Sequence, residues 1–93
     1  MEVIFTVRYY KKVLTVDVPK LSPADRERVK KSIEEKLTTQ PHIFGEHLHH
    51  SLRGYKKLRV GDYRVIFYIE EKTVIILCIE HRSIVYKEAH KRL

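Results

Sequence analysis

Hydrophobic and polar positions divide the chain into a few blocks of distinct period. Val3, Phe5 and Val7 alternate with Glu2, Ile4 and Thr6, which predicts a strand over 1–7. The stretch 8–18 fits two readings. "KKVLTVDV" is β-branched enough for a strand, yet Tyr9, Val13 and Val16 also fit a helical face. Next, Val29, Ile33 and Leu37 recur every four residues among Arg, Lys and Glu, the apolar stripe of an amphipathic helix. Its start is marked by Ser22 as N-cap, Pro23 in the first turn and Asp25 near the positive end of the helix dipole. Pro41 is expected to stop it, and 42–53 reads as a polar loop carrying four of the six histidines.

Three strand patterns follow. Tyr55–Val60 and Tyr63–Ile69 flank Gly61-Asp62, a two-residue hairpin signal. "EEK" then turns the chain into Thr73–Glu80, apolar enough to be covered on both faces. "SIVYKEAHKRL" reads as a short closing helix packed by Ile84, Val85 and Leu93. These elements predict one α+β domain over 1–93. Its antiparallel sheet combines the N-terminal strand with a three-stranded C-terminal meander. N-terminal helices pack on one face, and a short C-terminal helix closes the chain.

The hairpin contains a conflict. A two-residue loop at 61–62 pairs Val60 with Tyr63, Arg59 with Arg64, Leu58 with Val65, Lys57 with Ile66 and Tyr55 with Tyr68. Leu58, Val60, Tyr63, Val65 and Phe67 then share a core face, while Tyr55, Lys57, Arg59, Arg64, Ile66 and Tyr68 share the other. Like charges directly opposite destabilise a sheet, and a one-residue slip would bury them, so the register is well specified. Either Glu70, Glu71 or water satisfies these cations, or an anion from outside the chain does. Cations interleaved with aromatic rings suit nucleic acid, the cations neutralising phosphate and the rings stacking on unpaired bases. Tyr55, Lys56, Arg59 and Tyr68 are the candidate RNA-binding residues.

Charge points the same way. Lys plus Arg number 19 against 12 Asp plus Glu, a formal charge of +7 over 93 residues. That excess suits a polyanionic partner or, on the plainer reading, a basic surface of thermophilic type. No apolar run approaches the roughly 20 residues that cross a bilayer, and "MEVIFTVRYY" lacks the pattern of a secretion signal, so a cytoplasmic protein without a membrane partner is expected. Cys78 is the only cysteine and sits within an apolar strand, where an inert thiol is expected. His42, His47, His49 and His50 lack the spacing of a zinc site and have no cysteine partners. No metal or cofactor is expected.

"LRGYKKLRVGDYRVIFYI", the apolar strand after it and "EHRSIVYKEAHKRL" resemble the RelE-like toxins of the RelE/ParE superfamily, most specifically in "L-R-x-G-D-Y-R-V" and "H-R-x-x-V-Y". The resemblance implies a toxin of a type II toxin–antitoxin system that enters the ribosome and cuts mRNA. In that reaction the 2′-hydroxyl attacks the adjacent phosphate, giving a 2′,3′-cyclic phosphate and a 5′-hydroxyl. It implies a cognate antitoxin as partner, with operator DNA bound only through that antitoxin. Lys57 falls at the position of a catalytic lysine, Arg64 at that of an arginine on the scissile phosphate, and Tyr86 at that of a tyrosine that stacks on or orients the substrate. Tyr55 stands where one branch has a second lysine, and Glu80 near where that branch has an arginine; His81 and Arg82 are the adjacent substitutes, His81 as general acid or base. The alternatives are a ParE-like toxin that poisons DNA gyrase without enzymatic activity, and an inactive antitoxin-binding member.

Overall fold

The computed structural model describes residues 4–93. Its elements are β1 (Thr6–Tyr9), α1 (Val18–Lys20), α2 (Pro23–Ser32), α3 (Pro41–Phe44), β2 (Glu46–His47), β3 (Lys56–Val60), β4 (Tyr63–Glu70), β5 (Thr73–His81) and α4 (Val85–Lys91). Wider π-type turns over Val13–Asp17 lead into α1, and similar turns over Ile33–Leu37 extend α2. A five-stranded sheet has the order β1-β5-β4-β3-β2. The expected α+β architecture is present, with the three-stranded meander at the centre of the sheet.

Several local expectations change. Part of the strand expected over 1–7 (Met1, Glu2 and Val3) lies outside the described residues; within them, pairing covers Thr6–Tyr9 and runs parallel to β5. The segment after Tyr10 is helical, because Val13 and Asp17 are buried against the sheet while Leu14, Thr15 and Val16 stay exposed, a helical and not an alternating pattern. Pro41 does not merely stop a helix. It opens α3, where its fixed φ and missing N–H suit the first turn. The stretch read as a polar loop adds β2, a two-residue edge strand whose Glu46 pairs with Lys57.

Other signals hold. Ser22 Oγ accepts from the Asp25 amide at 3.1 Å, capping α2. Val29, Ile33 and Leu37 are all buried. They pack with Val13 and Leu21 onto Leu58, Val60, Val65, Phe67, Val74, Ile76 and Ile79, forming the core on one sheet face. On the other face, α4 lays Val85 and Ala89 over Ile66, Leu77 and Cys78, with Leu48 and Leu52 beside them. Ile84 and Leu93, expected to pack this helix, are exposed. A shift in the β4–β5 ladder at Ile66/Phe67 leaves Leu77 as an extra residue, so Leu77 and Cys78 both enter the second core. Burial pushes the Cys78 thiol up to about 12, so it stays protonated and inert. No described helix is long and apolar enough to cross a membrane.

Beyond Tyr10, whose amide donates to the Ile76 carbonyl at 2.9 Å, the chain no longer pairs with β5, and buried side chains continue the ladder. Asp17 Oδ2 accepts from the Ile79 amide at 2.8 Å, and Arg92 Nη1 donates to the Leu77 carbonyl at 3.0 Å. The two side chains grip each other bidentately, at 2.7 Å in both contacts. A buried strand edge whose amide and carbonyl would otherwise lack partners is thereby satisfied, and the end of α4 is tied to the N-terminal helical segment.

Candidate functional site

The second face of the sheet is organised in rows across the strands. The row nearest the β3–β4 turn holds Arg59, Arg64 and Glu80, each directly opposite its neighbour. The next row holds Glu46, Lys57, Ile66 and Cys78. Farther along, Tyr55 and Tyr68 meet edge to face, their ring centroids 5.3 Å apart. Burial raises both phenols, and Tyr10 raises them further. α4 covers only the middle of this face. Val85 and Ala89 point into the core, so Tyr86, one position on from Val85, comes to the rim.

The contact that organises the site lies between α4 and β3. Lys57 Nζ donates to Tyr86 Oη at 3.2 Å and stands 5.8 Å from the ring centroid. The two residues are 29 positions apart, so the closing helix must dock before this contact exists. Lys57 and Arg59 share one carboxylate oxygen of Glu46, at 3.7 and 3.6 Å. Among the described residues, Glu46 is thus the carboxylate that meets Lys57 and Arg59, where the sequence offered Glu70, Glu71 or water. The sequence hid it because β2 is two residues long within a histidine-rich stretch.

Arg59 and Arg64 do stand directly opposite each other. Arg64 avoids its neighbour by folding back to the turn, where Nη1 donates to the Gly61 and Tyr63 carbonyls at 2.9 Å each. These are neutral partners, so the positive charge at this row is held in place without being neutralised by a carboxylate on Arg64. Gly61 adopts φ +59°, as the two-residue turn requires. Arg82 lies beyond β5 at the same turn; its amide donates to the Asp62 carbonyl at 2.8 Å, and its guanidinium is 4.0 Å from the Asp62 carboxylate.

Two named residues point elsewhere. Lys56 alternates onto the helix-covered face, is 8 % exposed and has Nζ 3.2 Å from His47 Nε2. It does not join Lys57 and Arg59, because neighbouring strand residues face opposite ways. His81 is opposite Tyr63, on the same helix-covered side, and meets that ring edge to face at 5.8 Å. The Ser83 amide donates to His81 Nδ1 at 3.1 Å, and Ser83 Oγ lies 2.8 Å from the same nitrogen. Lys57, Arg59, Arg64 and Tyr86 therefore form one surface, with Arg82 at its end and Tyr55 and Tyr68 farther along.

Glu80 has moved into the space behind that surface. It is 4 % exposed and pairs with Lys20 Nζ at 2.7 Å. Burial raises its carboxyl, the neighbouring Asp17 raises it further, and Lys20 opposes both. Burial alone would raise Asp17 too, but bonds to Arg92, Glu80 and the Ile79 amide outweigh this and hold it below its ordinary value. Among the described residues, no group of three or more His, Cys, Asp or Glu is placed to hold a metal ion.

The arrangement offers an anion two or more fixed cations and a phenol on a rim open to solvent. Comparison with known proteins identifies the scaffold that carries it. A family described as the ParE toxin of the type II toxin–antitoxin system parDE matches residues 6–86. The toxin–antitoxin complex RelBE2 from Mycobacterium tuberculosis contains a chain with 31 % identity, covering 87 % of this chain and 94 % of that one, at a TM-score of 0.80. A free arginine-to-alanine double mutant of the toxin RelE from E. coli shares 25 % identity over 97 % of this chain and 98 % of that one, at a TM-score of 0.64. The RelB–RelE complex from Methanococcus jannaschii, at 18 % identity and a TM-score of 0.63 over 82 % of this chain and 91 % of that one, shares the fold. No curated protein sequence matches significantly. The chain belongs to the ParE toxin family of type II toxin–antitoxin systems and is a RelE-like toxin of the RelE/ParE superfamily.

Proposed function

We propose that this toxin is a ribosome-dependent endoribonuclease that cuts mRNA and so stops translation. The observation that carries the reading is the meeting of Lys57 and Tyr86, 3.2 Å apart, on the face that holds the opposed Arg59 and Arg64. In the proposed step the 2′-oxygen attacks phosphorus and loses its proton, the bond to the 5′-oxygen breaks, and that oxygen gains a proton. Lys57 takes the 2′ proton or supports its removal, Arg64 and Arg59 hold the charge of the phosphorane, and Tyr86 orients or stacks on the nucleotide. With His81 turned toward Tyr63, protonation of the leaving oxygen falls to Arg82 or Tyr86. The M. tuberculosis relative is a toxin–antitoxin complex, which supports a cognate antitoxin for this chain; operator DNA, in this reading, is bound only through that antitoxin.

The family match is to ParE toxins, and it favours a second reading, a non-enzymatic poison of DNA gyrase. Mapping RNA 5′ ends after induction separates the two. New 5′-hydroxyl ends inside translated codons are expected. Intact mRNA with double-strand breaks in DNA would sink the nuclease and leave the gyrase reading.

A further inference from the structure

The turn at Gly61-Asp62 is ringed by arginines from three parts of the chain. Arg59 and Arg64 flank it on the hairpin, Arg82 stands at Asp62, and Arg28 reaches it from α2. A Cβ on Gly61 would lie 2.6 Å from Arg28 Nη2, so this glycine leaves room for a guanidinium as well as meeting the turn's backbone requirement. Between this turn and α2 lies an open concavity of about 320 Å³, lined by Arg28, Lys31, Ser32, Glu35, Lys36 and Arg59, with Val60 and Gly61 as its floor. Four cations thus face one carboxylate. Two of them have neighbours at longer range, Arg28 to Asp25 at 3.7 Å and Arg59 to Glu46 at 3.6 Å, and both stay more than half exposed. Lys36 lies over the Phe44 ring at 5.5 Å. Polar lining and dense positive charge suit a polyanion and not an apolar ligand.

Arg59 belongs both to this concavity and to the face that carries Lys57 and Tyr86. Lys57 and Arg59 are two residues apart on one strand, about 6.6 Å along it, a repeat comparable with that of an extended nucleotide chain. We propose that the concavity between α2 and the β3–β4 turn is a second phosphate-binding subsite. It grips the backbone of single-stranded RNA that leaves the Lys57–Tyr86 surface over Arg59, with Arg28 and Lys31 as its main contacts. The proposal rests on the RNA reading above and adds a direction to the bound strand. A path of this kind is independent of base identity and depends strongly on salt.

The test uses the whole chain and uncleavable 2′-O-methyl oligoribonucleotides of about six and about fourteen nucleotides, lengths that bracket one subsite and two. Fluorescence anisotropy is read over a salt series for wild type and for Arg28→Gln/Lys31→Gln, both on an exposed helix face. Wild type is expected to bind the longer probe at least tenfold more tightly and with a steeper salt slope. In the variant this length advantage collapses toward one and the slope falls by about one to two counterions. Circular dichroism monitors folding, and Lys31→Glu alone, the same change of two charge units, should produce the same loss. An unchanged length advantage in folded variants overturns the subsite. So does a loss confined to capture of an acidic polypeptide such as polyglutamate, which assigns the concavity to protein docking. Because the probes cannot be cut, failure of the nuclease reading appears separately, as absent mRNA cleavage with the length advantage intact.

Discussion

Arg92 and the Arg59–Arg64 pair place guanidinium groups on the same sheet under opposite conditions. The Arg92 side chain is 4 % exposed, and Asp17 holds it by two bonds of 2.7 Å. The Arg59 side chain is 59 % exposed, shares a distant carboxylate with Lys57, and faces a like charge. A sealed, bidentate ion pair is closed to any ligand from solvent, so its value lies in the fold. An open, repelling pair gains little for the fold, because exposed ion pairs contribute only about 0–1 kcal/mol, and retains its capacity for an anion. Partner geometry and burial separate structural charge from available charge where residue type cannot.

The largest expected effect comes from breaking the sealed side. Asp17→Ala leaves Arg92 and the Ile79 amide buried without their acceptor and should cost about 3–5 kcal/mol, read as a lower urea midpoint. An unchanged midpoint would remove Asp17 from the list of structural residues. Arg64→Ala should do the reverse. Its side chain opens no core cavity, and its removal relieves Arg59, so stability should hold or rise slightly. RNA cleavage should fall by about two orders of magnitude, roughly 3 kcal/mol in transition-state binding. A folded Arg64→Ala protein that still cuts at the wild-type rate would refute the proposed role.

A smaller effect follows from pH. Asp17 has a lowered folded pKa, so its contribution is present above its ordinary 3.8 and is lost as pH falls through the lowered value. Glu80 is raised above its ordinary 4.5, so the folded state binds a proton more readily than the unfolded one, and stability should rise as pH falls from its raised value toward 4.5. The two effects have opposite signs. Thermal melts should show a shallow rise just above pH 4.5 and a drop below about 3.8, and Glu80→Gln should flatten the rise while leaving the drop. The smallest effect belongs to His81→Ala. With its ring against Tyr63 on the other face, cleavage should stay within about 0.5 kcal/mol of wild type, roughly twofold. A large loss with normal ribosome binding would bring His81 back as the acid.

Much of the hairpin could be read before any coordinates. Its register, the like-charge pair and the two faces all follow from period two and a two-residue turn, both local signals. The Ser22 cap and the Val29–Ile33–Leu37 stripe were legible for the same reason. What escaped was set by distant parts of the chain. The helical choice after Tyr10 depends on Asp17 finding Arg92, 75 residues away. The Glu46 counterion depends on a strand too short to leave a pattern. The orientation of His81 could have been inferred by carrying alternation from Tyr63 across to β5, since cross-strand partners share a face.

The parallel pairing of β1 with β5 also has a bearing on how the molecule comes into being. Among the described residues, Thr6–Tyr9 finds its strand partner in Thr73–Ile76, and Asp17 finds its partners at Ile79 and Arg92. A chain leaving the ribosome amino end first therefore holds this strand and the helical segment after it without a template until residues 73–92 have been made. Contacts of such sequence separation are slow to close, because the intervening loop must lose its entropy first. Tyr86 reaches Lys57 by the same late step. Until α4 has left the exit tunnel, the Lys57–Tyr86 surface cannot assemble.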